Sequence, residues 1–169
     1  MIWFWLVLLI VVFIFGFVVF MGAPYLPSQK KYIKLALSEL YSLNESDTLV
    51  DIGSGDGVVL REASRIGARA IGFEINPILV FISRFLSKND KRVVVRFVDF
   101  WSTHLPDETT VVYVFTVGRD MKKIFKWMQK ETNRINRPIS LISFGFNFSD
   151  IKAVKKVEPY YLYVFNPLQ

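Results

Sequence analysis

A turn with glycine at every second position directly follows an apolar stretch and narrowly limits the folds that this chain can adopt. Residues 49 to 57 read Leu-Val-Asp-Ile-Gly-Ser-Gly-Asp-Gly. A chain that leaves a buried strand and enters a helix this abruptly needs positive φ angles, and it needs no Cβ atoms where a ligand lies against the backbone. We therefore predict a strand–turn–helix unit that binds a nucleotide-type cofactor.

The spacing of these glycines argues against two common cofactor loops. The dinucleotide fingerprint needs its third glycine three residues after the second, where this chain has Val58. The phosphate-binding loop needs a Lys-Ser or Lys-Thr pair after its glycines, and none follows here. The turn thus disfavours NAD and excludes a phosphate-binding loop.

The start of the chain has a different character, because residues 2 to 21 contain no charged side chain. At about 1.5 Å per residue, a helix of this length extends about 30 Å, the thickness of a bilayer core. Aromatic residues on all its sides argue against a core helix with one apolar stripe. A cleaved signal peptide is disfavoured because no Lys or Arg precedes the run and no small-residue cleavage site follows.

These observations predict three parts: a transmembrane anchor at 1–22, a linker with an N-terminal helix at 23–47, and one domain at 48–169. Lys30, Lys31 and Lys34 flank the apolar run on its C-terminal side. Because positive residues mark the cytoplasmic side of a span, we predict a single-pass membrane protein with a cytoplasmic domain.

Composition removes several kinds of chemistry. The chain has no cysteine, which excludes disulfides, cysteine-ligated zinc and thiol nucleophiles, and we predict no metal site. The net charge is +6, but Lys and Arg are spread along the sequence rather than interleaved with aromatics in a run. Attraction to anionic lipid headgroups explains this charge more simply than nucleic-acid binding.

Strand and helix patterns alternate along the remainder. The predicted helices run from Ser28 to about Leu43, from about Asp56 to Ile66, from Asn76-Pro77 onward, and from about Arg119 to Thr132. The predicted strands are Thr48–Ile52, Arg69–Phe73, Val93–Val98, Thr110–Phe115, Ile139–Phe146, Ala153–Val157 and Tyr160–Phe165. This order predicts an α/β, Rossmann-like fold with a mostly parallel sheet and an antiparallel C-terminal edge.

Four segments resemble one family of proteins: Gly-Ala-Pro-Tyr-Leu-Pro-Ser at 22–28, Asp-Ile-Gly-Ser-Gly-Asp-Gly at 51–57, Gly-Phe-Glu-Ile-Asn-Pro at 72–77 and Asp-Phe-Trp at 99–101. The glycine turn and the following acid resemble motif I and its partner in class I, seven-β-strand methyltransferases. With the apolar start, the set resembles the membrane-anchored protein lysine methyltransferases related to the mitochondrial enzymes that modify the ADP/ATP carrier and the ATP synthase c subunit. The resemblance implies S-adenosylmethionine as the cofactor.

Ligands of such sheets lie outside the carboxyl ends of the strands, where the strand order reverses. Glu74 is predicted there to accept hydrogen bonds from both ribose hydroxyls, and Asp51 to face the methionine amino group. Asp99 is predicted to accept from the adenine amino group beside the ring surfaces of Phe100 and Trp101. The full predicted cofactor-binding set is Asp51, Gly53, Ser54, Gly55, Asp56, Gly57, Glu74, Asn76, Asp99, Phe100 and Trp101. Asp56 also suits a helix N-terminus without any ligand, and the two aromatic residues also suit plain core.

An acceptor for the methyl group has to be aligned with the donor, which requires no acid–base dyad. A lysine acceptor must arrive neutral, and an aromatic channel lowers the pKa of its amine by removing water. Tyr25, Phe115 and Trp101 are the predicted walls of that channel. The resemblance implies that Pro24, Tyr25 and Pro27 form part of a lid, although a stiff exit from the membrane explains the same residues. His104, the only histidine, is predicted to be a surface loop residue.

The sequence leaves three functions open. A protein lysine N-methyltransferase that acts on a membrane-associated protein is favoured, since the anchor would keep the site near the bilayer. A small-molecule or lipid methyltransferase and a noncatalytic binding module are the alternatives. Residues 115–118 read Phe-Thr-Val-Gly, not the Asn-Pro-Pro-aromatic signature of enzymes that methylate amides and adenine amino groups, which disfavours nucleic-acid bases. The predicted partners are the lipid bilayer, through the N-terminal helix, and a membrane protein, with no nucleic acid.

Overall fold

A computed structural model describes residues 2–21, 30–115, 120–145, 147–148 and 151–168. Its seven strands are β1 Thr48–Ile52, β2 Arg69–Glu74, β3 Val93–Phe97, β4 Val111–Phe115, β5 Ile139–Phe144, β6 Lys155–Val157 and β7 Tyr160–Phe165. The helices are α1 Ile2–Met21, α2 Lys30–Leu35, α3 Val58–Ile66, α4 Pro77–Leu86 and α5 Met121–Ile135. A π-helical turn, Ala36–Leu40, continues α2, and a short 3₁₀ turn spans Phe100–Ser102.

All seven strands belong to one sheet in the order β3-β2-β1-β4-β5-β7-β6. Strands β1 to β5 pair in parallel, whereas β7 pairs antiparallel with β5 and with β6. The strand order reverses between β1 and β4, which creates the crevice where such sheets bind ligands. The predicted Rossmann-like sheet with an antiparallel C-terminal edge is therefore confirmed.

Each face of the sheet has its own apolar core, because successive side chains of a strand point to opposite faces. One core includes Leu49 of β1 and lies against α2, α3 and Val80 of α4. The other includes Val50 and Ile52 and lies against α5. Strand β1 is buried along its whole length, so the turn that follows it starts from a fixed point.

Helix α3 and strand β5 differ at one end from the sequence prediction, and glycine geometry explains both differences. Helix α3 begins at Val58 rather than near Asp56, because Gly57 adopts a left-handed φ of 80°. Strand β5 ends at Phe144 rather than at residue 146, because Gly145 has a φ of 77°. The N–H of Gly145 donates to the carbonyl of Pro159, 2.7 Å away, which joins this end to the β6–β7 connection.

For α1 the structure describes the backbone of Ile2–Met21 and the side chains of residues 2–10 and 12, all of which are exposed. Within the described part of the chain, no helix combines the length and the apolar character that crossing a membrane requires. The anchor predicted at 1–22 is thus not supported by the structure and stays a prediction.

Candidate functional site

The glycine turn lies at the carboxyl end of β1, beside the point where the strand order reverses. Asp51 is opposite Gly72 of β2 and opposite Tyr113 of β4 in the strand register. The N–H groups of Gly53 and Ser54 both donate to the carbonyl of Phe73, at 2.8 and 3.1 Å. These two bonds fix the start of the turn against the end of the neighbouring strand.

The three glycines of the turn all have positive φ angles, but their surroundings differ. Gly53, Gly55 and Gly57 have φ angles of 80°, 56° and 80°. A Cβ atom at Gly53 would meet no atom within 4 Å, so this glycine borders open space. A Cβ atom at Gly57 would lie 2.1 Å from the hydroxyl oxygen of Ser83 in α4. Gly53 therefore leaves room for a ligand, whereas Gly57 lets the turn pack against α4.

Ser54 lies beneath the turn rather than on its open side. Its side chain is buried, and a Cβ atom at Gly72 would lie only 2.5 Å from its hydroxyl oxygen. That hydroxyl has no hydrogen-bond partner among the residues that the structure describes. Gly72 is thus required by the close approach of Ser54.

Glu74, at the end of β2, binds the turn directly. Its Oε2 accepts a hydrogen bond from the N–H of Gly55 at 2.8 Å, and its Oε1 accepts one from the N–H of Asn76 at 2.8 Å. Asn76 in turn caps α4, because its side-chain oxygen accepts from the N–H groups of Ile78 and Leu79. The carboxylate therefore ties the glycine turn to the start of α4, and each oxygen keeps a second acceptor position.

The pKa of Asp51 is strongly shifted. The residue is 3% exposed, and burial raises its pKa well above the ordinary value of 3.8. The negative charges of Glu74 and Asp56 raise the pKa further. No hydrogen-bond donor among the described residues opposes this shift, so the carboxylate lacks a compensating partner within that part of the chain.

Asp56 has partners of its own within α3. Its carboxylate accepts from the N–H of Val58 at 3.3 Å and forms an ion pair with Arg61, also at 3.3 Å. These contacts fit the alternative that an acid near the N-terminus of this helix is favourable without a ligand, while Gly57 occupies the N-cap position itself. Asp56 also contributes negative charge near Asp51.

The third predicted segment follows β3. The N–H of Val98 donates to the carbonyl of Glu74 at 3.0 Å, which holds the end of β3 beside that acid. Asp99 caps the 3₁₀ turn by accepting from the N–H of Trp101 at 3.0 Å. The rings of Phe100 and Trp101 lie 4.3 Å apart, are half-buried and pack against the core on the α5 side. Both aromatic residues thus contribute to the core and keep part of their surface accessible.

The predicted channel residues do not form one wall. Phe115 contacts Phe144 with ring centroids 5.0 Å apart, on the face of the sheet that α2 covers. Trp101 belongs to the opposite core, and the ammonium of Lys123 lies 3.8 Å from its ring centroid. Tyr25 lies outside the described residues.

An aromatic cluster beside Asp51 was not predicted from the sequence. The hydroxyl oxygens of Tyr113 and Tyr160 lie 3.0 Å apart, and the Phe144 ring contacts Tyr160 at 5.1 Å. Burial raises the pKa of Tyr160 to about 12; the hydrogen bond with Tyr113 opposes the shift and the charge of Asp51 adds to it. Period-two alternation in β4 could have placed Tyr113 on the same face as Phe115. Nothing local could have placed Tyr160 there, because it depends on the pairing of β7 with β5.

His104 is placed as predicted, on the surface with 63% of its side chain exposed. Its Nδ1 lies 2.8 Å from Oε1 of the buried Glu131. Glu131 also accepts from the N–H of Leu105 and from Arg134, so this cluster joins the loop to α5. None of these hydrogen bonds involves a residue predicted to bind the cofactor.

Two proteins with a lysine N-methyltransferase name are similar to this chain in sequence. The ATP synthase c-subunit lysine N-methyltransferase of Xenopus laevis is 34% identical over 120 residues, which cover 69% of this chain and 52% of that protein. The protein of the same name from Homo sapiens is 32% identical over 111 residues, 64% of this chain and 46% of that protein. The chain thus spans about half the length of these relatives.

A solved structure matches over nearly all of its length. The RNA methyltransferase of Salinibacter ruber, in complex with S-adenosyl-L-homocysteine, superposes with a TM-score of 0.75 at 26% identity. The match covers 85% of this chain and 95% of that one. The fold is thus the class I, Rossmann-like methyltransferase fold. The model of the ANTKMT methyltransferase domain matches residues 51–155, more than half of the chain. The chain therefore belongs to the family of the ANTKMT methyltransferase domain.

Proposed function

We propose that this protein is an S-adenosylmethionine-dependent methyltransferase whose acceptor is a lysine of a membrane-associated protein. The observation that carries the proposal is Asp51, a buried carboxylate beside the open space at Gly53. A buried charge without a partner is costly, and a cationic ligand removes that cost. The cofactor carries both an ammonium group and a sulfonium centre, so it suits this position.

The other residues of the turn fit the rest of the cofactor. Gly53 provides room for a group to lie against the backbone, and Glu74 keeps free acceptor positions for two ribose hydroxyls. Asp99 and the rings of Phe100 and Trp101 provide an acceptor and apolar surface for adenine. The residues proposed to contact or shape the cofactor site are Asp51, Gly53, Ser54, Gly55, Asp56, Gly57, Glu74, Asn76, Asp99, Phe100 and Trp101.

When bound, the cofactor supplies an electrophilic methyl group. The residues of the chain have to orient both reactants and exclude water. Phe115 and Phe144 are half-buried and form an aromatic surface on the same face as Asp51, next to the buried Tyr113–Tyr160 pair. Such surroundings lower the pKa of an entering lysine amine, because burial disfavours its charged form. We propose this surface, which includes Phe115, together with Tyr25 as the approach of the acceptor.

Two observations support a protein lysine as the acceptor. The matched relatives from Xenopus laevis and Homo sapiens are named for lysine methylation of the ATP synthase c subunit. The sequence at 115–118, Phe-Thr-Val-Gly, lacks the Asn-Pro-Pro-aromatic signature of enzymes that methylate amides and adenine amino groups. RNA is the second candidate substrate, because the Salinibacter ruber structure is that of an RNA methyltransferase.

Membrane attachment through α1 is part of the proposal. Its described side chains are apolar and exposed, and Lys30, Lys31 and Lys34 follow it in the sequence. We propose that α1 lies in the bilayer with the domain on the cytoplasmic side. A lipid or small-molecule acceptor is compatible with the same placement, as is a module that binds the cofactor without transferring its methyl group.

The test is methyl transfer from radiolabelled S-adenosylmethionine into native membranes that retain bound RNA. Wild type is compared with Asp51→Ala and with Glu108→Gln, a control that alters an exposed acid before β4. Protein, lipid and RNA are separated before counting, and labelled protein is digested to locate the methylated side chain. We expect label on lysine in a protein band, lost in Asp51→Ala and kept in Glu108→Gln.

The other outcomes contradict specific parts of the proposal. Label in the lipid or RNA fraction would show that the acceptor is lipid or RNA rather than lysine. Label that is unchanged in Asp51→Ala would remove Asp51 from the site. If no fraction is labelled although calorimetry detects cofactor binding, the protein is a binding module.

A further inference from the structure

Helix α4 turns an apolar face to solvent. Its large exposed apolar residues share the spacing of one helix face, and the two most exposed of them are Phe81 at 71% and Phe85 at 58%. Their rings stack with centroids 6.5 Å apart. The exposed face consists of Ile78, Phe81, Ile82, Phe85 and Leu86.

This face is not part of the core of the domain, because α4 is held by its other side. Val80 and Ser83 are buried against the sheet and the glycine turn. Arg84 donates two hydrogen bonds to the carbonyl of Val95, at 3.0 and 2.8 Å, which attach the helix to β3. The exposed side chains are therefore free to contact something outside the described chain.

A basic cleft of about 640 Å³ lies at the C-terminal end of the same helix. Phe85 and Leu86 form part of its lining, so the cleft is continuous with the apolar face. Its charged residues are Arg65, Lys88, Lys91, Arg92 and a single acid, Asp90. The ammonium of Lys88 lies 5.0 Å from the ring centroid of Phe85, where basic and apolar surface meet.

Ser87 points to the kind of group that the cleft accepts. It lines the cleft, is 7% exposed, and its hydroxyl has no hydrogen-bond partner within the described residues. A buried hydroxyl without a partner is unusual in native proteins, and a phosphate oxygen would satisfy it. The surrounding basic side chains favour an anionic ligand.

We propose that the α4 face and its basic cleft dock on an anionic lipid bilayer. The apolar side chains would enter the boundary between headgroups and acyl chains, while the basic residues and Ser87 bind lipid phosphate. The positive charge of the cleft favours an anionic bilayer over a second copy of the chain, because a symmetric dimer would bring two basic clefts together. Helix α5 offers a contrast, since it exposes Lys122, Lys123, Lys126 and Lys130 but no large apolar side chain.

Docking of α4 would also orient the glycine turn. Helix α4 begins at Pro77, directly after the Asn76 cap that Glu74 holds. A bilayer contact along α4 would therefore keep the carboxyl edge of the sheet at a defined height above the lipid. The inference depends neither on methyl transfer nor on α1.

The absence of cysteine from the chain allows a clean test with single labels. Phe85→Cys in the full chain is labelled with an environment-sensitive fluorophore, and Lys130→Cys on α5 is the matched control. Each protein is reconstituted with vesicles of phosphatidylcholine, either pure or mixed with phosphatidylglycerol, with and without lipids that carry a quencher on the acyl chain. We expect a shift of emission to shorter wavelength and strong quenching at position 85 in the mixed vesicles, and neither at position 130.

Charge reversal then tests the cleft. Lys88→Glu with Lys91→Glu, on the Phe85→Cys background, should abolish both signals, while thermal unfolding stays unchanged because these side chains are exposed. The proposal is overturned if the label at position 85 stays in water although the chain floats with the vesicles. It is also overturned if the charge-reversed variant, or wild-type charges with pure phosphatidylcholine, gives the same quenching at position 85 as the mixed vesicles. A concentration-dependent shift without vesicles would overturn it in favour of self-association.

Discussion

At the scale of single residues, Asp51 is an acid placed where its charge is unfavourable. Burial and the neighbouring acids raise its folded-state pKa, so it stabilises the protein only below its ordinary value of 3.8. That contribution is lost as pH rises from there through the raised pKa. The ionised carboxylate therefore destabilises the folded protein at neutral pH unless a cation binds beside it. This is the exchange of stability for function expected at a binding site.

We expect Asp51→Asn to stabilise the ligand-free protein at pH 8, by about 1 kcal/mol, because an uncompensated buried charge is removed. The gain should shrink as pH falls towards 4, where the wild-type carboxyl becomes protonated. Thermal unfolding between pH 4 and 8 measures both effects, with Glu108→Gln as an exposed control. Equal stabilities of wild type and Asp51→Asn at every pH would contradict the assignment.

Glu74 has a structural role in addition to its proposed contact with ribose. Glu74→Gln leaves one carbonyl oxygen to accept from the N–H groups of Gly55 and Asn76, and turns the other position into a donor. Since an unsatisfied buried donor costs about 1–3 kcal/mol, we expect a loss of that size in urea unfolding. The matched change Glu108→Gln alters an exposed ion pair and should cost far less. Unchanged unfolding of Glu74→Gln would mean that the two hydrogen bonds contribute nothing.

At the scale of elements, the loop before β4 is fastened to α5 through Glu131. Burial alone would raise the pKa of Glu131, but hydrogen bonds from His104, Leu105 and Arg134, together with the Arg134 charge, lower it below its ordinary value. A lowered folded-state pKa adds stability above the unfolded value of 4.5, and that stability is lost as pH falls through the folded pKa. This contact therefore strengthens the fold at neutral pH.

We expect Glu131→Gln to destabilise the protein at pH 7 by about 2 kcal/mol, the range for hydrogen bonds to charged groups. The difference from wild type should narrow as pH falls through the lowered pKa, because the carboxylate is then lost in the folded state as well. Chemical unfolding at pH 7 and pH 3.5 gives the comparison. His104→Ala is a partial control, because it removes one exposed partner and should cost less. If the difference in unfolding free energy between wild type and Glu131→Gln increased at pH 3.5, the Glu131 carboxylate would not be the source of the stabilisation.

Elements with a local signal were predictable from the sequence, and those defined by distant partners were not. The glycine turn identified β1 and α3 because glycine at positions 53, 55 and 57 indicates positive φ angles. Tyr160 reached the site only through antiparallel pairing of β7 with β5, a contact between distant segments. Gly57 reads as a cofactor glycine in the sequence, yet in the structure it makes room for Ser83. The exposed apolar face of α4 was not predicted, because its exposure depends on which distant segments pack against the helix.

At the scale of the whole molecule, strand order predicts where the fold opens last. Strands β1 and β4 are central, whereas β3 and the three-residue β6 are the two edges. Amide exchange of strand interiors reports opening of the most stable unit. We expect Val50 and Val112 to exchange slowest and the N–H groups of Lys155–Val157 to exchange fastest among the strands. Hydrogen exchange followed by mass spectrometry tests this ranking, and equal protection of β6 and β1 would contradict it.

The raised pKa of Asp51 has a further consequence for ligand uptake. If a cation binds the carboxylate, the proton held there at lower pH has to leave, so binding and proton release are coupled. The apparent affinity of the cationic ligand should then increase with pH and level off above the raised pKa. Calorimetry in buffers with different ionisation enthalpies would count the released protons directly. The acid that destabilises the empty site would in this way make the surrounding pH a regulator of its occupancy.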